Sequence, residues 1–177
     1  MYINFIDLKK AFDSVHRESI WKILRAYGIP HKIVAIILRT LYEHFKCRVT
    51  VEYTLTESFP VKSGVRQGCI LSLILFLVVI DWVMRKTTSD RPRGIQWSPF
   101  SCLEDLDFAD DLAVISATHS HHLQEKSKRL SNFAMQTSRH INQKKTKVMF
   151  VIAPTASPIS ININGEALEC IWKPHKE

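Results

Sequence analysis

The sequence predicts an α+β domain, built as a split βαβ sheet of mainly antiparallel strands with helices packed on one face. Three observations predict it. First, Leu106-Asp107-Phe108 and Leu112 to Ile115 form apolar arms around Asp110-Asp111, the pattern of a strand, a tight turn and a second strand. Second, Tyr2 to Leu8 reads as a buried strand that carries a carboxylate, Asp7, near its end. Third, helical and strand periods alternate along the chain without the regular cadence of a parallel βαβ sheet. A split βαβ sheet can set the end of the first strand beside the hairpin, which would bring Asp7 to Asp110 and Asp111.

In chain order, the first strand is followed by a helix with Ile20, Ile23, Leu24 and Tyr27 on one face, stopped by Gly28 and Pro30. A second helix from about residue 31 to 45 carries Val34, Ile37, Leu38, Leu41 and Phe45. Residues 47–51 and 57–61 read as two short strands. Ser63-Gly64-Val65-Arg66-Gln67-Gly68 is a glycine-punctuated polar loop, and a long apolar helix to about Lys86 follows it. Strands are expected at 94–97, 103–108 and 112–116, then an amphipathic helix over about 122–138 with Leu123, Leu130, Phe133 and Ala134 inward. Residues 148–152 and 159–163 read as strands, and Asn164-Gly165 as a hairpin turn leading into 166–170. No internal repeat or domain linker interrupts this order.

At 177 residues the chain has the size of one ordinary domain, and 46% hydrophobic residues argue for a globular core. Lys and Arg exceed Asp and Glu by 24 − 17 = 7, a surplus that suits a polyanionic partner. The four cysteines, Cys47, Cys69, Cys102 and Cys170, stand far apart, which excludes a zinc ribbon or a small disulfide scaffold. His119, His121 and His122 have no Cys or carboxylate at metal spacing and read as loop surface. No signal peptide is expected at the N-terminus, and the apolar stretch from Cys69 to Ile80 is too short for the ~20 residues of a membrane span. No membrane partner is expected.

An isolated Asp-Asp pair is most often a solvated acidic turn. A second acidic strand changes that reading, because carboxylates held together by a fold need a cation, and oxygen ligands are what Mg²⁺ selects. Two such ions about 3.5–4 Å apart suit in-line attack on phosphorus and need no protein nucleophile. No nucleophile elbow, H-E-x-x-H, Walker loop or G-x-G-x-x-G offers another chemistry. An EF-hand over Asp105 to Asp111 fails because its sixth position is Asp110 rather than glycine.

Three stretches then give a specific resemblance. Phe5-Ile6-Asp7-Leu8-Lys9-Lys10-Ala11-Phe12-Asp13, Ser63-Gly64-Val65-Arg66-Gln67-Gly68-Cys69-Ile70-Leu71-Ser72 and Phe108-Ala109-Asp110-Asp111 occur in one order at workable spacing. Together they resemble the consecutive palm motifs of reverse transcriptases, most of all those of non-LTR retrotransposons (LINE-type, RTE-like). The resemblance implies a polymerase palm, a ferredoxin-like split βαβ sheet. It also implies RNA-directed DNA polymerase activity, with dNTPs added to a DNA primer 3′-hydroxyl on an RNA template.

The resemblance also implies roles residue by residue. Asp7, Asp110 and Asp111 would be the catalytic carboxylates and hold two Mg²⁺ ions, or Mn²⁺ in their place, with the Leu8 carbonyl lending an oxygen. Phe12 matches the steric gate that collides with a 2′-hydroxyl. Arg66, Gln67 and Gly68 match the loop that meets the incoming nucleotide and template. Lys145, in a stretch from Ile141 to Lys147 that resembles the family's next motif, matches a proton donor to pyrophosphate. As one cation in Lys144-Lys145-Thr146-Lys147 it reads equally well as solvated charge. Ile161 to Glu166 resembles the start of the hairpin that grips the primer.

Residues 1–170 are expected to form the palm part of such a polymerase, with most of the fingers and all of the thumb outside it, and 171–177 a C-terminal tail. The family usually has prolines where this chain has Ile70 and Leu73, and Gly-Leu where it has Ser138-Arg139. A second reading stays open: a catalytically inactive, nucleic-acid-binding remnant of a retrotransposon polymerase. By family the protein is expected inside the cell, in the nucleus or a cytoplasmic ribonucleoprotein. Oligomeric state is not legible.

Overall fold

The computed structural model describes residues 1–150 and 160–171. The elements begin with β1 (Tyr2–Ile6), α1 (Arg17–Ala26), α2 (His31–Leu41) and four two-residue strands: β2 (Lys46–Cys47), β3 (Thr50–Val51), β4 (Thr54–Leu55) and β5 (Phe59–Pro60). The long helix α3 (Ile70–Thr88) precedes β6 (Ile95–Ser98), β7 (Ser101–Leu103), β8 (Asp105–Phe108) and β9 (Asp111–Ser116). Then come α4 (Ser120–Gln136), β10 (Lys147–Phe150), β11 (Asn162–Ile163), β12 (Glu166–Ala167) and β13 (Glu169–Cys170). The chain divides into two compact units, one of Met1–Ala11 with Ile80–Glu177 and one of Phe12–Val79.

The first unit holds a five-stranded sheet in the order β13-β10-β1-β9-β8. All neighbours are antiparallel except β10 and β13, which run parallel. β1 is central, paired through Ile6 with Leu112 on one side and through Tyr2 with Phe150 on the other. Alternation sends Tyr2, Asn4, Ile6, Leu112 and Val114 to the buried face, where α4 packs with Leu123, Leu130 and Ala134. The buried Asn4 amide donates to the Ser127 hydroxyl at 2.8 Å, locking helix to sheet. This is the α+β layering that the sequence predicts.

The strand expected over 103–108 is broken at Glu104, which turns inward. Its carboxylate accepts the backbone N–H of Arg93 at 2.7 Å, that of Gly94 at 2.8 Å and the ammonium of Lys126, itself only 5% exposed. Burial pushes the Glu104 pKa up. Hydrogen bonds from Cys102, Lys126 and Gly94 outweigh that and hold it below the usual carboxylate value. The loop reading of the three histidines is also corrected: His121 and His122 form the first turn of α4, with His119 its N-cap.

α4 ends at Gln136 rather than 138, in a Schellman motif. The N–H of Arg139 donates to the carbonyl of Ala134 at 2.9 Å, and that of Ser138 to Met135 at 3.0 Å. Ser138 takes a φ of +61°, the left-handed conformation that favours glycine, and the Arg139 side chain is fully buried. These are the two positions at which the resemblance leads one to expect Gly-Leu.

In the second unit α1 and α2 pack together, with Trp21 and Tyr42 rings 5.7 Å apart, over a core of Val15, Ile20, Leu24, Val34, Leu75 and Phe76. The two strands expected over 47–51 and 57–61 are split into two short ladders, β2 with β5 and β3 with β4. The chain reverses just past the first expected segment, at Glu52 and Tyr53, both at positive φ (+46° and +67°). Of the strands expected near the C-terminus, residues 151, 152 and 159 lie outside the described residues, as does most of the tail.

Candidate active site

The first unit brings Asp7 and Asp111 to one side of the sheet. One step beyond the pair Ile6–Leu112, Asp7 stands opposite Asp111, on the face that carries Phe5 and Ala113 and lies away from α4. They line a cleft of about 540 Å³ with Phe5, Ile6, Leu106, Asp107, Phe108, Leu112, Ala113 and Lys145. The Lys145 ammonium lies 4.0 Å from Asp7 Oδ1, and the two side chains are 71% and 38% exposed, so the pair is a weak, solvent-screened one.

The Asp7 backbone is clamped from the β10 side. Its N–H donates to the Thr146 hydroxyl at 3.3 Å, and its carbonyl accepts from Asn142 N–H at 2.8 Å. The Lys9 N–H donates to the His140 carbonyl on the same side. Leu8 is bridged to Ile141 on the same side and is not among the residues that line the cleft. The turn that holds Asp7 is therefore the turn that carries Lys145. Asn142 and Thr146 were not singled out in the sequence, where nothing marks a hydroxyl between lysines as a partner of a residue so far away.

Asp110 has a different placement from the other two carboxylates. It sits with Ala109 in the two-residue turn of the hairpin, exposed, and is not among the residues that line the cleft. Ala109 takes a φ of +57°, a conformation that an alanine adopts at a cost and that aims the turn. Among the described residues no three His, Cys, Asp or Glu side chains lie close enough together to hold a metal ion. The expected three-carboxylate cluster thus reduces to two carboxylates in one cleft, Asp7 and Asp111, with the third on the adjoining turn. Such an all-oxygen set fits Mg²⁺, which binds through one or two carboxylates plus substrate phosphates rather than in an all-protein cage.

In the second unit, Phe12, Arg66, Gln67 and Gly68 are brought together. They line a cleft of about 480 Å³ with Cys69, Ile70 and Leu73. The Phe12 ring lies flat on the buried Phe76 ring, centroids 4.0 Å apart and planes 16° apart. The Gln67 amide donates to Asp13 Oδ1 at 3.1 Å. Gly68 needs glycine for its φ of +79°, and nothing lies near its missing side chain. Gly64 needs glycine twice over, for its φ of +78° and because a Cβ there would meet the Asp13 carbonyl oxygen at 2.7 Å.

A mainly antiparallel sheet with a carboxylate just past the end of its central strand and two more on the adjoining hairpin is the architecture of a polymerase palm. Residues 1–172 match the family model described as "Reverse transcriptase (RNA-dependent DNA polymerase)", and the chain belongs to that family. Its relatives include the Pol polyprotein of the type-1 retrotransposable element R2 of Popillia japonica, 31% identical over 110 residues. They also include that of R2DM of Drosophila melanogaster, 35% identical over 117 residues. These alignments cover 62% and 66% of this chain but only 18% and 11% of those proteins, so the chain spans a small part of their length. Both relatives agree with the non-LTR retrotransposon type that the motifs resemble. Among solved structures, the telomerase of Candida albicans, determined with a fragment of telomeric RNA, superposes with a TM-score of 0.66 at 15% identity. That covers 95% of this chain and 29% of the telomerase; apo telomerase of Candida tropicalis gives 0.65 at 18% identity. At such identities the likeness is one of fold.

Proposed function

We propose that the chain carries the catalytic palm of an RNA-directed DNA polymerase, extending a DNA primer 3′-hydroxyl with dNTPs on an RNA template by two-metal nucleotidyl transfer. The observation that supports it most is that Asp7 and Asp111 line one cleft, with Lys145 beside Asp7 and Asp110 on the adjoining turn. Asp7, Asp110, Asp111 and the Leu8 carbonyl would hold the ions. When bound, Mg²⁺ lowers the pKa of the attacking hydroxyl and stabilises charge on the leaving pyrophosphate. Lys145, beside Asp7, would donate a proton to pyrophosphate. Phe12, braced by Phe76, would lie under the sugar and exclude a 2′-hydroxyl. Arg66, Gln67 and Gly68 would receive the nucleotide.

A second reading is favoured by one observation, that no three carboxylates converge among the described residues. It is a nucleic-acid-binding remnant without turnover, held to polyanions by the net charge of +7. Primer extension on an RNA template with Mg²⁺ and dNTPs, run beside Asp110→Ala, separates the two. Incorporation lost in the variant supports the enzyme. Salt-sensitive binding of primer-template without incorporation supports the remnant.

A further inference from the structure

Arg17 is the first residue of α1. A cation there faces the positive end of the helix dipole and weakens the helix, so its place calls for a reason outside α1. The guanidinium supplies one. Nε donates to the Gly64 carbonyl at 3.0 Å, Nη1 to that of Val61 at 2.8 Å and Nη2 to that of Ser63 at 3.3 Å. The Tyr42 ring lies 4.6 Å from the guanidinium carbon and fixes its plane.

Those three carbonyls are the root of the loop that carries Arg66, Gln67 and Gly68. The opposite edge of the same root is held by backbone bonds, Gly64 N–H to the Val15 carbonyl at 2.9 Å and Val65 N–H to the Phe12 carbonyl at 3.0 Å. The loop is therefore gripped between the Phe12–Val15 segment and one planar fork. Phe45 stands 5.8 Å from the Arg17 guanidinium carbon and 5.7 Å from that of Arg66, linking root and tip through one ring.

We propose that Arg17 is a positioning residue for nucleotide binding: it fixes the 61–64 backbone so that Arg66, Gln67 and Gly68 meet the incoming deoxynucleoside triphosphate at a set height. The proposal rests on the polymerase reading and adds to it a residue that does not itself touch the substrate. Lysine is a poor replacement, because its compact ammonium on a flexible stem lacks the rigid planar fork that spreads donors over three carbonyls.

The test uses this chain with Arg17→Lys and Arg17→Ala. Hydrogen exchange is expected to quicken about tenfold or more at the Gly64 and Val65 amides while the Val114 and Leu130 amides keep their rates. Unchanged exchange at 64–65, or quickening throughout the chain, overturns the proposal whatever the activity. In incorporation kinetics both variants are expected to raise KM for dNTP about tenfold and to leave kcat within about threefold. An active wild type whose KM is matched by Arg17→Lys overturns the proposal while the polymerase reading stands. A wild type that incorporates nothing, with exchange at 64–65 quickened in the variants, overturns the polymerase reading, and the nucleotide-positioning role falls with it.

Discussion

The N–H of Asp7 donates to the hydroxyl of Thr146, which is wholly buried, across 139 positions of sequence. One hydroxyl thereby sets the height of a carboxylate in the cleft and ties it to the turn of Lys145. Thr146→Val keeps the shape and removes the acceptor, so the Asp7 amide is left without its protein partner. A loss of about 1–2 kcal/mol is expected in urea unfolding, with Thr146→Ser much nearer to wild type. Equal midpoints for Val and Ser would show that the bond contributes nothing.

Removing a carboxylate should separate chemistry from binding. Asp7→Ala and Asp111→Ala are expected to lower primer extension by about 10³-fold or more. Asp110→Ala should do the same. Because Asp110 and Asp111 are exposed, thermal unfolding of their variants should be close to that of the wild type, and primer-template binding should persist. An Asp110→Ala protein that still incorporates would remove Asp110 from the catalytic set.

Phe12 rests on Phe76, so sugar discrimination should depend on both rings. Phe12→Ala is expected to raise ribonucleotide use by about 10-fold or more relative to dNTP, and Phe76→Leu to do so in smaller degree by letting Phe12 sink. The ratio of kcat/KM for dNTP and rNTP reads this directly. A Phe12→Ala protein that rejects ribonucleotides as well as the wild type does would exclude the gate role.

Ser138 occupies the left-handed position of the Schellman motif at φ +61°. Ser138→Gly is expected to stabilise the protein by about 0.5–1 kcal/mol, which for a chain of this size raises Tm by about 1–4 °C. Ser138→Val should lower it. A Tm unmoved by both changes would mean the motif is not formed in solution.

Burial pushes the Asp105 carboxyl up to about 6, with the negative charge of Asp107 adding to it. A carboxyl whose folded pKa exceeds its unfolded value holds more protons when native. Its contribution to stability is therefore fully present below about pH 4 and is lost as pH rises through about 6. Asp105→Asn is expected to flatten that fall and to make the protein more stable than wild type at pH 7. Parallel stability profiles of the two proteins between pH 4 and 7 would contradict the assignment.

Much of this was legible in sequence because the signals are local. The alternation of Tyr2 to Ile6 and the apolar arms around Asp110-Asp111 specify strands and a hairpin, and helical spacing specifies α1, α2 and α4. The grouping of Phe12 with Arg66, Gln67 and Gly68 followed from motif resemblance, and the structure brings all four to one cleft. The break at Glu104 was not legible, since the carboxylate finds its donors on Arg93, Gly94 and Lys126, from 10 to 22 positions away. The parallel pairing of β13 with β10 likewise leaves no mark in either short strand.

The sequence by itself determined the α+β class through its periods, and through motif resemblance it pointed to the palm, the family and the candidate catalytic residues, because period and motif order are properties of neighbouring residues. Tertiary structure alone decided which carboxylates share a cleft, that Thr146 and Asn142 hold Asp7, and that Arg17 grips the carbonyls of Val61, Ser63 and Gly64. Each of those depends on a hydrogen bond between residues brought together by packing of the core. Its geometry exists only once the sheet register and helix positions are set.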